Sequence, residues 1–210
     1  MRGSPIEGVL LTNADLDHVL GLVLLREGNA FSVHATFSVR QTLAAGLRFD
    51  KLLGAFGGVF WNEVSIEKTS LLDRSGSPSG ISYRTIFLPG GPPPYATTGF
   101  ADEVGHSVAF QFTDDSTGAR LLVAPDLAEV TPEFQAALDE SEAVLIDGTF
   151  WSNDELKNVR PSARTARDMG HLPISDGTLE LVRAAPARYK AYVHINNTNP
   201  ILMPGSRERR

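Results

Sequence analysis

With 210 residues, 42% hydrophobic and 21% charged, the chain is long enough to bury a sizeable core as one large domain spanning residues 1–210. Its formal net charge of −6 has no compensating basic cluster apart from Arg207, Arg209 and Arg210, which argues against nucleic acid and against an anionic membrane surface as partners. The absence of cysteine excludes disulfides and thiolate ligands, so any metal would fall to the five histidines and the acidic residues.

The opening apolar run Val9, Leu10 and Leu11 is too short for a signal-peptide core. Residues 19–25 are apolar but bounded by Asp17, His18, Arg26 and Glu27, and they fall well short of the ~20 residues needed to cross a bilayer. A cytoplasmic chain without membrane insertion is expected.

Residues 6–11 read as a buried strand and residues 14–27 as a helix, with carboxylates in its first turn and Gly28 as its stop. Residues 31–35 predict a second strand, 38–45 a helix begun by a serine cap, and 56–66 a loop leading into a further strand. Residues 75–95, rich in Gly, Ser and Pro, read as a loop around a short strand at 83–88. Strands at 107–113 and 120–124, joined by the turn from Asp114 to Gly118, predict an antiparallel hairpin. A helix at 131–140, with Pro132 in its first turn, leads to a buried strand at 143–146. Helices at 162–169 and 178–184 and a last strand at 189–195 complete an alternating α/β pattern.

The segment Asn13, Ala14, Asp15, Leu16, Asp17, His18 places three ligand-capable side chains where a strand gives way to a helix, the position at which open α/β sheets bind ligands. Oxygen and nitrogen donors together suit iron, zinc or manganese. The plainer reading is that Asp15 and Asp17 favour the positive end of the helix. Asp126, Asp147 and His194 repeat one design, an apolar strand followed by a side chain able to bind metal or carry a proton. Taken alone, Asp126 is equally a turn aspartate. His171 lies between Gly170 and Leu172-Pro173, a constrained loop that suits a ligand or proton donor. Asn196, Asn197 and Asn199 offer amides to a polar ligand or cofactor, or to their own loop. His34 and His106 read as ordinary structural histidines.

The order of these segments is similar to that of the metallo-β-lactamase superfamily, whose signature His-x-His-x-Asp-His here reads Asn13-x-Asp15-x-Asp17-His18. A closer resemblance is to the PqqB family of pyrroloquinoline quinone (PQQ) biosynthesis, in TNADLDHVLGLVLLREG (12–28), LIDGTFW (145–151), RDMGHLPIS (167–175) and VHINNTNPIL (193–202). The resemblance implies a metallo-β-lactamase-like αββα sandwich and a metal centre on Asp17, His18 and His194, with Asp126 at the superfamily's bridging position and Asp15 beside them. It places His171, with Asp147 as the other catalytic candidate, where a related branch keeps a proton-transfer histidine. The site so implied is poor in imidazole and suits one ferrous ion, with zinc as the alternative.

The activity implied is oxygen-dependent hydroxylation of the tyrosine ring of a Glu-Tyr-derived PQQ precursor, a dipeptide or small-molecule partner. The alternatives are a non-catalytic carrier of PQQ or its precursor towards the periplasm, and a metallo-hydrolase. Family members begin with a further half-sheet and a cysteine-rich segment and continue differently after Leu202. The chain is therefore expected to lack N-terminal strands, to be incomplete at both ends, and to associate with itself through the uncovered sheet edge.

Overall fold

The computed structural model describes residues 4–96 and 104–209. Residues 1–3 of the N-terminal segment and Arg210 of the terminal arginine cluster lie outside them. The chain forms two compact units, Met1–Val108 and Ala109–Arg210.

In the first unit, β1 (Gly8–Leu10), β2 (Phe31–Ala35) and β3 (Val59–Glu63) pair in parallel in that order. Parallel neighbours need crossovers, and helices supply them: α1 (Leu16–Val19) and α2 (Gly21–Leu24) between β1 and β2, α3 (Phe37–Thr42) and α4 (Phe49–Gly54) between β2 and β3. Along β2 the side chains of Phe31, Val33 and Ala35 are buried while Ser32 and His34 are half-buried, the period of a strand with one apolar face. That face packs into a core with Leu11, Val19, Leu22, Val39, Leu43, Phe49 and Leu53.

Several elements differ from expectation. The single helix at 14–27 is two short ones, because at Leu20 and Gly21 the bonding tightens to Leu20 O from Val23 N (3.1 Å) and to Leu22 O from Leu25 N (3.1 Å). The second of them ends at Leu24 with Leu25 as its C-cap, so Gly28, at φ 116°, lies beyond the helix and is not its stop. The cap of α3 is Thr36, whose hydroxyl accepts from Val39 N at 3.1 Å. Ser38 lies inside the helix and donates to Val104 O at 2.6 Å. Helix α4 is not among the expected elements; its signal is the apolar pair Phe49 and Leu53 at helical spacing.

The supposed loop at 75–95 contains the whole of a long strand, β5 (Pro78–Leu88), paired antiparallel with β4 (Thr69–Leu72). Asp73 makes the turn by accepting from Ser75 N (2.8 Å), Ser75 Oγ (2.6 Å) and Ser77 N (3.0 Å). The expected strand at 83–88 is its second half; the start at 78–82 was hidden because it is largely exposed and carries no apolar alternation.

In the second unit the strand order is β6 (Ser107–Asp114), β7 (Arg120–Ala124), β8 (Ala143–Asp147), β9 (Tyr189–Val193). β6 and β7 form the expected hairpin, whose turn Asp114 closes by accepting from Ser116 N at 2.8 Å. β7, β8 and β9 are parallel. Between β7 and β8 runs α5 (Pro132–Asp139), capped by Thr131 through Phe134 N at 3.1 Å. Phe110, Leu122, Phe134, Leu138, Ile146 and Ile174 are fully buried. The expected helix at 162–169 is only the 3₁₀ turn Arg167–Met169. Ala166 N and Arg167 N are held by Asn153 at 2.9 and 3.1 Å, and Gly170 at φ 87° ends the turn. Helix α6 (Glu155–Val159) lies ahead of it, and α7 (Leu179–Ala184) follows. Among the described residues no helix is long and apolar enough to cross a membrane.

Candidate metal centre

Parallel pairing sets the geometry of the site. Ala124 is in register with Ile146, and Asp147 with Val193, so the C-terminal ends of β7, β8 and β9 lie side by side and Asp126, Asp147 and His194 emerge from one edge of the sheet. His171 reaches the same edge from its own loop, which is tied to the loop after β7 by Leu172 N donating to Leu127 O at 2.7 Å. Asp126, His171 and His194 each offer one ligand atom within 4.8 Å of the others. The Nδ1 atoms of His171 and His194 are each 3.5 Å from Asp126 Oδ1. The two rings stack with centroids 5.6 Å apart and planes at 27°, and Phe150 meets the His171 ring edge-on at 5.8 Å.

Asp147 is fully buried and organises this cluster. Its Oδ1 accepts from Thr149 N (2.9 Å) and Thr149 Oγ1 (2.6 Å), its Oδ2 from Leu127 N (2.9 Å), and His171 Nδ1 lies 2.8 Å from Oδ2. A buried carboxylate needs this many donors to offset its desolvation. Thr149 Oγ1 also lies 2.7 Å from His194 Nδ1. Thr149 was missed in the sequence; the signal available was a threonine two residues after an aspartate at a strand end. His194 itself has φ 55°, a left-handed conformation uncommon for a non-glycine residue and characteristic of functional sites.

Of the asparagines after His194, Asn196 serves its own loop and Asn199 ties it to the loop after β8. Asn199 is buried, and its amide donates to Gly148 O at 2.9 Å. Asn196 donates to Thr198 Oγ1 at 2.7 Å, and Thr198 donates to Glu155 Oε1 at 2.6 Å. Asn197 is exposed. Glu155, also unforeseen, is buried and accepts from Trp151 N at 2.6 Å, joining the loops after β8 and β9.

In the first unit, Asp15 sits at the N-cap position of α1, although its side chain makes no capping bond. Its backbone N–H donates to Asn13 Oδ1 at 3.0 Å. Asp17 is exposed, and His18, mostly buried, lies with Nδ1 3.1 Å from Thr12 Oγ1 and Nε2 4.0 Å from Asp17 Oδ2. Tyr95 donates its hydroxyl to Ala14 O, and burial, then the charge of Asp15, pushes its pKa up to about 12. A cavity of about 450 Å³ in this unit, lined by His34, Phe60, Asn62, Arg74 and Tyr83 among others, includes none of the candidate residues.

A β-lactamase superfamily domain matches residues 1–195. Coenzyme PQQ synthesis protein B of Azoarcus sp. (strain BH72) is 36% identical over 213 residues, which cover 100% of this chain and 69% of that protein. Its counterpart in Rhizobium meliloti (strain 1021) is 37% identical over 216 residues, 100% of this chain and 68% of that protein. The chain belongs to the coenzyme PQQ synthesis protein B family. Among solved structures, zinc-bound PqqB from Methylobacterium extorquens matches with a TM-score of 0.81 at 30% identity, over 100% of this chain and 69% of that one. A diphosphatase of the PhnP family matches at TM-score 0.62 and 14% identity over 93% of this chain and 62% of that one; it shares the fold alone. The metallo-β-lactamase-type fold expected from the sequence is thus the fold of the chain.

Proposed function

We propose that the chain carries out a metal-dependent step of PQQ biosynthesis, the oxidative hydroxylation of the tyrosine ring in a Glu-Tyr-derived precursor. Membership of the coenzyme PQQ synthesis protein B family supports the role in PQQ biosynthesis. The observation that carries the metal is the convergence of Asp126, His171 and His194 within 4.8 Å. Imidazole and carboxylate are donors that fit iron or zinc.

In this reading Asp126 and His194 hold the ion. The family resemblance adds Asp17 and His18, with Asp15 next to them in sequence, as further ligands. A bound ferrous ion would supply the electron transfer to oxygen that aromatic hydroxylation requires. A ring C–H becomes C–OH with one atom of O₂, and the other atom leaves as water with two electrons and two protons from a reductant. In the same reading His171, whose Nδ1 is 2.8 Å from Asp147 Oδ2, moves a proton at its ring nitrogen. Asn197 is the asparagine of its loop that is exposed for contact with the precursor. Zinc is the alternative ion, supported by the zinc-bound relative.

The test is anaerobic loading of metal-free protein with ferrous iron or zinc, followed by a Glu-Tyr peptide, ascorbate and oxygen. Incorporation of one oxygen atom by the iron form alone, read by mass spectrometry and lost in Asp126→Asn and His194→Ala, is the expected result. Turnover that survives both substitutions would overturn the site. Tight PQQ binding by metal-free protein with no turnover would replace the enzyme by a carrier. Asp17→Ala and His18→Ala proteins that keep the parent's metal content would remove those residues from the ligand set.

A further inference from the structure

We infer that Thr149 is a positioning residue that sets which nitrogen of His194 carries its proton, so that one buried carboxylate, Asp147, orients both imidazoles of the cluster. The inference deepens the metal-centre reading and rests on it for its functional meaning.

The argument is a count of hydrogens. The Thr149 hydroxyl lies 2.6 Å from Asp147 Oδ1 and 2.7 Å from His194 Nδ1. A hydroxyl has one hydrogen to donate, and a carboxylate can only accept. The hydrogen therefore goes to Asp147, and the hydroxyl oxygen accepts from His194, whose Nδ1 must then be the protonated nitrogen. His171 Nδ1, 2.8 Å from Asp147 Oδ2, must donate for the same reason. Both neutral rings thus keep their lone pair on Nε2, which makes that nitrogen, and not Nδ1, the one that can bind a cation. The arrangement is sheltered, since Asp147 has no exposed surface and Thr149 is 7% exposed. Asp147 acts on His171 directly and on His194 through Thr149.

The experiment uses metal-free protein labelled with ¹⁵N-histidine, at alkaline pH where imidazoles are neutral. The ring-nitrogen shifts of His194 are expected to show Nδ1–H in the parent and in Thr149→Ser, and a mixture of the two forms in Thr149→Val. A parent His194 protonated on Nε2 would mean that the relay runs the other way and overturns the inference, as would a Thr149→Val protein with an unchanged His194. Zinc affinity, read by competition with a chromophoric chelator, is expected to fall about 10- to 100-fold in Thr149→Val and to stay within about threefold of the parent in Thr149→Ser, the size of effect seen when the hydrogen-bond partner of a ligating histidine is lost. Parent-like zinc affinity in Thr149→Val would also overturn it. If no form binds zinc or iron, the metal-centre reading fails, and the nitrogen shifts still decide the tautomer.

Discussion

Asn199 and Gly148 are 51 residues apart in sequence and share a hydrogen bond of 2.9 Å from the asparagine amide to the glycine carbonyl. The same amide reaches Thr149 O at 3.4 Å, and Asn199 Oδ1 accepts from Ile201 N at 3.1 Å. One buried side chain thereby joins the loop that presents Thr149 to the loop that follows His194.

Asn199→Ala takes this partner from Gly148 O and Ile201 N, while Thr149 O keeps its bond from Asn196 N (3.1 Å), at a cost of about 1–3 kcal/mol. For a chain of this size that is a fall in Tm of roughly 2–4 °C per kcal/mol, measured by calorimetry. A Tm equal to the parent's would show that the loops are held by other contacts.

Gly148 has no room for a side chain, since a Cβ there would lie 2.7 Å from Tyr192 Cβ and 3.1 Å from Val193 O. Gly148→Ala must push β8 and β9 apart at the end that carries Asp147 and His194. A loss of about 1–3 kcal/mol is expected from such overpacking, together with weaker metal binding. Denaturant unfolding and metal titration of one preparation check both, and a variant with parental values in both would remove this contact from the site's construction.

His34 is half-buried, with the Tyr83 ring edge-on at 6.1 Å, and burial holds its pKa below the ordinary value of 6.5. From 6.5 down to the lower folded value, the unfolded chain binds the proton that the folded chain refuses, so stability falls as pH drops across that window. Above it the ring is neutral in both states and contributes no pH dependence. Unfolding titrations at stepped pH should show a shallower fall below 6.5 in His34→Gln than in the parent. Superimposable profiles would show that other groups dominate.

β3 is an edge of the three-stranded sheet, and it carries Phe60 at 65% exposure. An exposed aromatic on an open edge strand favours pairing between copies. Sedimentation at rising concentration is expected to show self-association of the parent, reduced in Phe60→Lys. A parent that remains monomeric at every concentration tested would dismiss this edge as an interface.

The local sequence determined a good deal. Apolar runs ended by Asp126, Asp147 and His194 marked three strand ends, and the stretches around Asp17, Asp147, His171 and His194 were specific enough to indicate the family. These signals are legible because strand alternation, turn residues and short motifs are properties of neighbouring residues. Of hairpin β4–β5 only residues 83–88 were legible, because the long strand begins on an exposed, polar stretch. Nor was the helix break at Leu20 and Gly21, since a continuous apolar run masks where the bonding tightens. Only the tertiary structure decided that β7, β8 and β9 lie in parallel register, and hence that Asp126, His171 and His194 share one place. It alone placed Thr149 between Asp147 and His194 and turned Asn199 back to Gly148, because such contacts depend on how distant segments pair, and no local pattern encodes that pairing.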